Sequence, residues 1–123
     1  MRLAKLSLVL ALSLFSVLAA AGMKTNYATY VTAGYAFGSY SSARYSSNIS
    51  EYIFCDVYSS GYIYCSARDA VGNWGWCNTN TTAQPTFAQM ILGANSASAV
   101  SFSWDTSNQC TSFFVRSGSN LLP

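Results

Sequence analysis

Residues 51–77 read EYIFCDVYSSGYIYCSARDAVGNWGWC, and their pattern decides the fold. Three of the four cysteines lie here, with two alternating runs and two glycine-bearing turns. Ser59-Ser60-Gly61 reads as a three-residue loop whose last position is left-handed, a conformation glycine reaches without a Cβ clash. Tyr58 then faces Tyr62 and, counting outward, Cys55 lies opposite Cys65. Side chains alternate across a strand, so Ile53, Cys55, Val57, Ile63, Cys65 and Ala67 share a core face. Tyr52, Phe54, Asp56, Tyr58, Tyr62, Tyr64, Ser66 and Arg68 share the other. A two-layer fold would bury part of that aromatic face as well, whereas Asp56 and Arg68 argue for exposure. Tyr52, Phe54, Asp56, Tyr58, Tyr62, Tyr64 and Arg68 are therefore the candidate binding surface.

The next turn leaves two registers open. A three-residue loop, Ala70 to Gly72, sets Cys77 opposite Cys65 and aligns three cysteines across three strands. A four-residue loop beginning at Asp69 sets Trp76 opposite Cys65 and Trp74 opposite Ala67, burying both indoles. Burying a tryptophan and closing a disulfide are worth comparable energies. Burial of the tryptophans favours the second register, with Cys77 reaching its partner from the strand end.

Working outward, Pro85 and Gly93 bracket a short helix. Proline suits the first helical position and glycine the position after the last. Phe87, Met90, Ile91 and Ala94 fall at i, i+3, i+4 and i+7, one apolar stripe directed at a core. Val100 to Trp104 and Cys110 to Arg116 follow as an alternating pair around the turn Asp105 to Asn108. Upstream, residues 22–50 are rich in Tyr, Ser and Gly, and are expected to be partly ordered. Short strands at Asn26 to Val31 and Tyr35 to Tyr40 fit there, though few large aliphatic residues anchor them. The whole reads as mainly β: a small antiparallel sheet or sandwich with one short helix, stapled by two disulfides, in a β domain spanning residues 51–123.

The chain opens with a basic stretch, Met1 to Lys5, then an apolar run from Leu6 to Leu18, then Ala19-Ala20-Ala21. This is the layout of a signal peptide over residues 1–21, and the apolar run is shorter than the roughly 20 residues a membrane-spanning helix needs. The expected destination is extracellular or periplasmic, with no membrane insertion after processing. Arg2 and Lys5 leave with the leader. The four remaining basic side chains, Lys24, Arg44, Arg68 and Arg116, balance Glu51, Asp56, Asp69 and Asp105. A neutral mature domain has no electrostatic footprint for nucleic acid.

In that compartment four cysteines predict two disulfides, each worth roughly 2–4 kcal/mol. No close C-x-x-C pair and no histidine complete a metal site, and no cofactor motif is present. In the Tyr58–Tyr62 hairpin, Cys55 and Cys65 occupy a non-hydrogen-bonded pair, where side chains approach most closely. That geometry favours Cys55 with Cys65 and Cys77 with Cys110. The alternative, Cys65 with Cys77 and Cys55 with Cys110, goes with the three-residue loop at Ala70.

The run C-S-A-x-D-A-x-G from Cys65, the Trp76-Cys77 pair and Cys110-Thr111 resemble small uncharacterised secreted bacterial proteins across residues 52–116. The resemblance implies an exported disulfide domain and carries no activity with it.

The chemistry left is narrow. Without histidine there is no Ser-His-Asp or Cys-His constellation, and disulfide cysteines supply no thiolate. Among the carboxylates only Asp56 is unusual, lying mid-strand opposite Tyr64. A hydrolase would need it paired with a second carboxylate at a fixed separation. No complete set of catalytic roles assembles. Aromatic, uncharged polar surfaces make good recognition faces. The expected function is therefore a secreted, non-enzymatic binding or surface-associated protein with a carbohydrate or cell-surface protein ligand. A secreted toxin or inhibitor is the alternative, and a small carboxylate-based hydrolase ranks below it.

Processing at the alanine triplet is directly measurable. Intact mass and N-terminal sequencing of secreted material are expected to find Gly22 as the first residue. Full-length protein retained in the membrane fraction contradicts it.

Overall fold

Three hairpins in this chain close with one and the same loop. Tyr58 N–H donates to Tyr62 C=O, and Gly61 N–H to Tyr58 C=O, both at 2.9 Å. Asp69 repeats the pattern with Asn73 and Gly72 at 3.0 and 3.1 Å, and Asp105 with Gln109 and Asn108 at 3.1 and 3.0 Å. The third loop residue is left-handed each time, with φ of 82° at Gly61, 96° at Gly72 and 56° at Asn108. A left-handed residue closing a three-residue loop keeps the strand twist continuous through the turn.

The computed structural model describes residues 25–79, 85–118 and 121. The expected leader and most of the connector after Asn78 lie outside these described residues. The elements are β1 (Tyr30–Thr32), β2 (Tyr35–Ser39), α1 (Tyr40–Arg44), β3 (Tyr52–Val57), β4 (Ile63–Arg68), β5 (Trp74–Asn78), α2 (Pro85–Leu92), β6 (Ser98–Trp104) and β7 (Cys110–Ser117). They form two antiparallel sheets, ordered β1-β2-β6-β7 and β3-β4-β5. Consecutive strands pair within each sheet except at β2, which runs beside β6. The Tyr/Ser/Gly-rich segment thus supplies two strands of the larger sheet and the short helix α1. Its small residues explain the fit. Ala36 and Gly38 stand opposite Phe102 and Val100, and Gly38 has the Thr29 backbone packed where a Cβ would be.

The inner faces meet as the alternation predicts. Val31, Ala36, Val100 and Phe102 from the larger sheet bury against Ile53, Ile63, Cys65, Ala67 and Cys77 from the smaller. Cys55 and Val57 are half-buried against the same cluster. Helix α2 sits where Pro85 and Gly93 placed it, and its Ile91 is buried while Phe87 packs on Phe113 with ring centroids 6.4 Å apart. It rests on β3 and β7, closing one long side of the sandwich. Helix α1, capped by Ser39 Oγ accepting from Ser42 N–H at 3.2 Å, packs on β2, β3 and β6.

The β4–β5 register departs from the expectation of buried tryptophans. The loop is the three-residue one, so Cys65 faces Cys77, Ala67 faces Gly75 and Arg68 faces Trp74. Two causes fix it. The Asp69 carboxylate holds the loop by accepting from Val71 N–H at 3.2 Å and Asn73 N–H at 2.8 Å. Residue 75 must also be a glycine facing inward, because a Cβ there would stand 2.4 Å from the Trp104 indole. Trp74 and Trp76 consequently point outward.

The disulfides nevertheless pair as geometry favours, Cys55 with Cys65 and Cys77 with Cys110. The middle strand explains why. A residue in β4 directs its backbone bonds to one neighbour only, so it is hydrogen-bonded on one side and closely paired on the other. Counting inward from Asp69–Asn73 puts Cys65 in a hydrogen-bonded pair with Cys77, and counting from Tyr58–Tyr62 puts it in the close pair with Cys55. The Cα atoms of Cys55 and Cys65 are 4.1 Å apart. Cys77 is left to cross the sandwich to Cys110, 5.0 Å away between Cα atoms, beside the bridge joining Asn78 to Gln109.

The two bridges should differ in worth. Cys77–Cys110 spans 33 positions and Cys55–Cys65 spans 10. Chain-entropy reasoning gives about 4 kcal/mol for the first and about 3 kcal/mol for the second. In denaturant melts, the Cys77→Ser, Cys110→Ser double variant is expected to lose more stability than Cys55→Ser, Cys65→Ser. The reverse order counts against this account.

Candidate functional site

The outer face of β3-β4-β5 is a regular grid, because its three strands lie in register. Tyr52, Arg68 and Trp74 form one row, Phe54, Ser66 and Trp76 the next, and Asp56, Tyr64 and Asn78 the third. Within the grid the ringed residues are diagonal neighbours across strands or next-but-one neighbours along a strand, roughly 7–8 Å apart, a spacing that aromatic side chains span. Ring centroids are 5.7 Å apart for Tyr52 and Phe54, 6.1 Å for Phe54 and Tyr64, and 6.0 Å for Tyr64 and Trp76. All four ring pairs on this sheet and its tip, including Tyr58 with Tyr62 at 5.4 Å, are tilted. Tilted arrangements at these separations suit aromatic quadrupoles.

Of the sequence-predicted residues, Tyr52, Phe54, Asp56, Tyr64 and Arg68 therefore share one face. Tyr58 and Tyr62 extend it to the hairpin tip. Phe54, Asp56, Tyr58 and Arg68 are exposed, and Tyr52, Tyr62 and Tyr64 are half-buried. Ser66, at the centre, is buried beneath the rings, with its hydroxyl 3.4 Å from Tyr52 Oη and 3.4 Å from Gly75 C=O. Sequence reasoning missed Trp74 and Trp76 here. The signal was present in the alternation of Trp74-Gly75-Trp76, but the register decides which side they take.

The outer face of the larger sheet is also aromatic. Tyr30, Tyr35 and Phe114 are exposed there. Tyr27 packs on Phe37 at 5.0 Å and accepts a hydrogen bond from Arg116 Nη1 at 3.1 Å.

The carboxylates do other things. Asp69 is buried at the end of β4. Besides its loop bonds, its Oδ2 accepts from Asn73 Nδ2 at 2.8 Å and from Val31 N–H at 3.4 Å, stitching the smaller sheet to β1. Desolvation by burial pushes its pKa up, but the hydrogen bonds from Asn73, Val31 and Val71 outweigh it and hold the carboxyl below the ordinary value. Asp105 Oδ1 accepts from Ser107 and Gln109 N–H at 2.8 and 3.0 Å. Glu51 is buried, accepting from Thr29 N–H at 2.8 Å and from the Ser46 hydroxyl. It borders a hollow of about 690 Å³ near Tyr40, Arg44 and Tyr45. Burial raises the Tyr40 phenol. Asp56 alone stands exposed on a strand, paired with Tyr64.

Both disulfides are closed, leaving no free thiol. Among the described residues no cluster of three or more His, Cys, Asp or Glu forms a metal-holding group. No helix among them is long and apolar enough to cross a membrane. No protein family matches the chain, and no curated protein or solved structure matches it either.

Asp69 makes a pH signature. Its pKa is lower folded than unfolded, so its contribution is present above the unfolded value near 4 and is lost as pH falls through the folded value. Asp69→Asn is expected to cost about 2 kcal/mol at pH 7. Its melting temperature should then fall less steeply than the wild type's on acidification below about pH 4. Parallel pH profiles for the two proteins contradict this role.

Proposed function

We propose that this is a secreted, non-enzymatic binding or surface-associated protein whose ligand docks on the outer face of β3-β4-β5. The observation that carries the reading is the unbroken ring series Tyr52, Phe54, Tyr64, Trp76 on an outward-facing sheet. Tyrosine and tryptophan bring large contact area with few rotatable bonds, so little side-chain entropy is lost on docking. Asp56 and Arg68 lie in opposite outer rows of the grid and supply orientation. A flat face of this kind suits the centre of a protein interface, where aromatics concentrate and charge is depleted. A cell-surface protein is therefore the ligand class for this face.

The chemistry of the remaining groups supports a non-enzymatic reading. Glu51, Asp69 and Asp105 are committed to backbone and loop hydrogen bonds, and the chain has no histidine. Export is supported by the basic-apolar-small layout of residues 1–21 and by two disulfides, which persist in oxidising compartments.

Capture of labelled mature protein on intact cells tests the face. Phe54→Ser combined with Tyr64→Ser removes the middle of the ring series at positions that are not in the core. Cell binding is expected to fall by about tenfold or more, as for loss of a central aromatic anchor, with the fold retained by circular dichroism. Undiminished binding by the folded variant would refute the reading.

A further inference from the structure

Helix α2 closes the β3/β7 side of the sandwich, but among the described residues the opposite side has no such cover. There the edge strand β1 faces the edge strand β5, and a groove of about 660 Å³ lies between them. Trp74, Trp76, Trp104, Tyr30, Asn73 and Asn108 line it. These include all three tryptophans of the chain, brought together from β5 and β6. An adjoining hollow of about 580 Å³ shares Gly34, Trp104 and Asn108 and continues beneath the β6–β7 loop.

We propose that this groove is a saccharide-binding site that takes a neutral oligosaccharide. The inference is independent of the ring-bearing face proposed above, although Trp74 and Trp76 border both. Its size falls within the roughly 300–1,000 Å³ of small-ligand sites. A pyranose ring has an apolar C–H face and a rim of hydroxyls. The C–H face packs against the electron-rich face of an indole, and the hydroxyls call for groups that both donate and accept.

The groove supplies both. The Trp104 indole lies against Gly75, whose lack of a Cβ admits it, and packs on Phe102 with centroids 5.7 Å apart. It is thus a fixed platform, ordered before any ligand arrives. Asn108 supplies the amide. Its backbone is held at both ends, N–H to Asp105 C=O at 3.0 Å and C=O from Asn78 N–H at 2.9 Å. Its side-chain amide makes no hydrogen bond among the described residues. Of the three matching hairpin loops, two carry glycine at the left-handed position, and the β6–β7 loop, whose left-handed residue lines the groove, carries asparagine. Among the described residues no lysine, arginine or glutamate lines the groove. Asp105, in the adjoining hollow, has Oδ1 occupied by Ser107 and Gln109. That balance suits an uncharged ligand.

Tryptophan fluorescence and calorimetric titration of the mature protein with cellohexaose, hexa-N-acetylchitohexaose and maltohexaose test the proposal. At least one is expected to bind one-to-one with Kd below about 1 mM. Asn108→Gly keeps the left-handed loop while removing the amide, and should weaken binding by about tenfold at unchanged Tm. Tyr30→Ala, at an exposed position, should weaken it independently and decides the matter if Asn108→Gly melts early. Phe54→Ser alone, which leaves Tyr64 packed on Trp76, should bind the sugar as wild type does, whatever its behaviour on cells. Failure of all three sugars, wild-type affinity in both groove variants, or loss of sugar binding in the face variant would each overturn the proposal.

Discussion

The contact between Trp104 and Gly75 joins the two sheets at the point on which the surface depends. An indole from β6 occupies the space that a side chain at position 75 would need. With a glycine inward, the residues on either side must face out, and both are tryptophans. One steric fact therefore fixes the β5 register, extends the ring series on the smaller sheet and leaves an indole platform at the open edge. Any larger residue at position 75 would displace Trp104 from its place against Phe102.

The loops reinforce that register with hydrogen bonds. Asp69 and Asp105 each accept from residues two and four positions ahead, which is how short acidic side chains imitate a backbone turn. Asp69 adds a reach to Val31, so the carboxylate that shapes a hairpin also ties β1 to the smaller sheet. This gives β1, only three residues long, an anchor beyond its pairing with β2. The groove between β1 and β5 has its walls held by the same group.

The disulfides complete a division of labour that follows from strand order. Cys55–Cys65 lies within the smaller sheet and locks the hairpin that carries most of the ring series. Cys77–Cys110 crosses between sheets at the end of β5. A small domain with this much aromatic surface facing out has correspondingly less apolar area inside, and covalent closure offsets that shortfall.

Local pattern alone determined the Tyr58–Tyr62 hairpin, its core and outer faces and the helix between Pro85 and Gly93, and it favoured Cys55 with Cys65 over a rival pairing that it left open. Each rests on a period or a turn residue acting over a few positions, so no distant contact was needed to read it. The seven residues of the candidate surface were legible for the same reason, since alternation assigns a face once the turn is placed. The outward direction of Trp74 and Trp76 was not legible. Two registers of β5 were close in local energy, and the choice fell to an indole some thirty positions downstream in sequence. Nor could the sequence place Tyr30 or Asn108 beside those tryptophans, because β1, β5 and the β6–β7 loop meet only when the sheets pack. The strand expected at Tyr35 to Tyr40 is present, but only packing shows why its small residues stand there: Ala36 and Gly38 let β2 lie against β6 beneath Thr29. Tertiary packing decides such positions because the space a residue must leave empty is defined by its neighbours, not by itself.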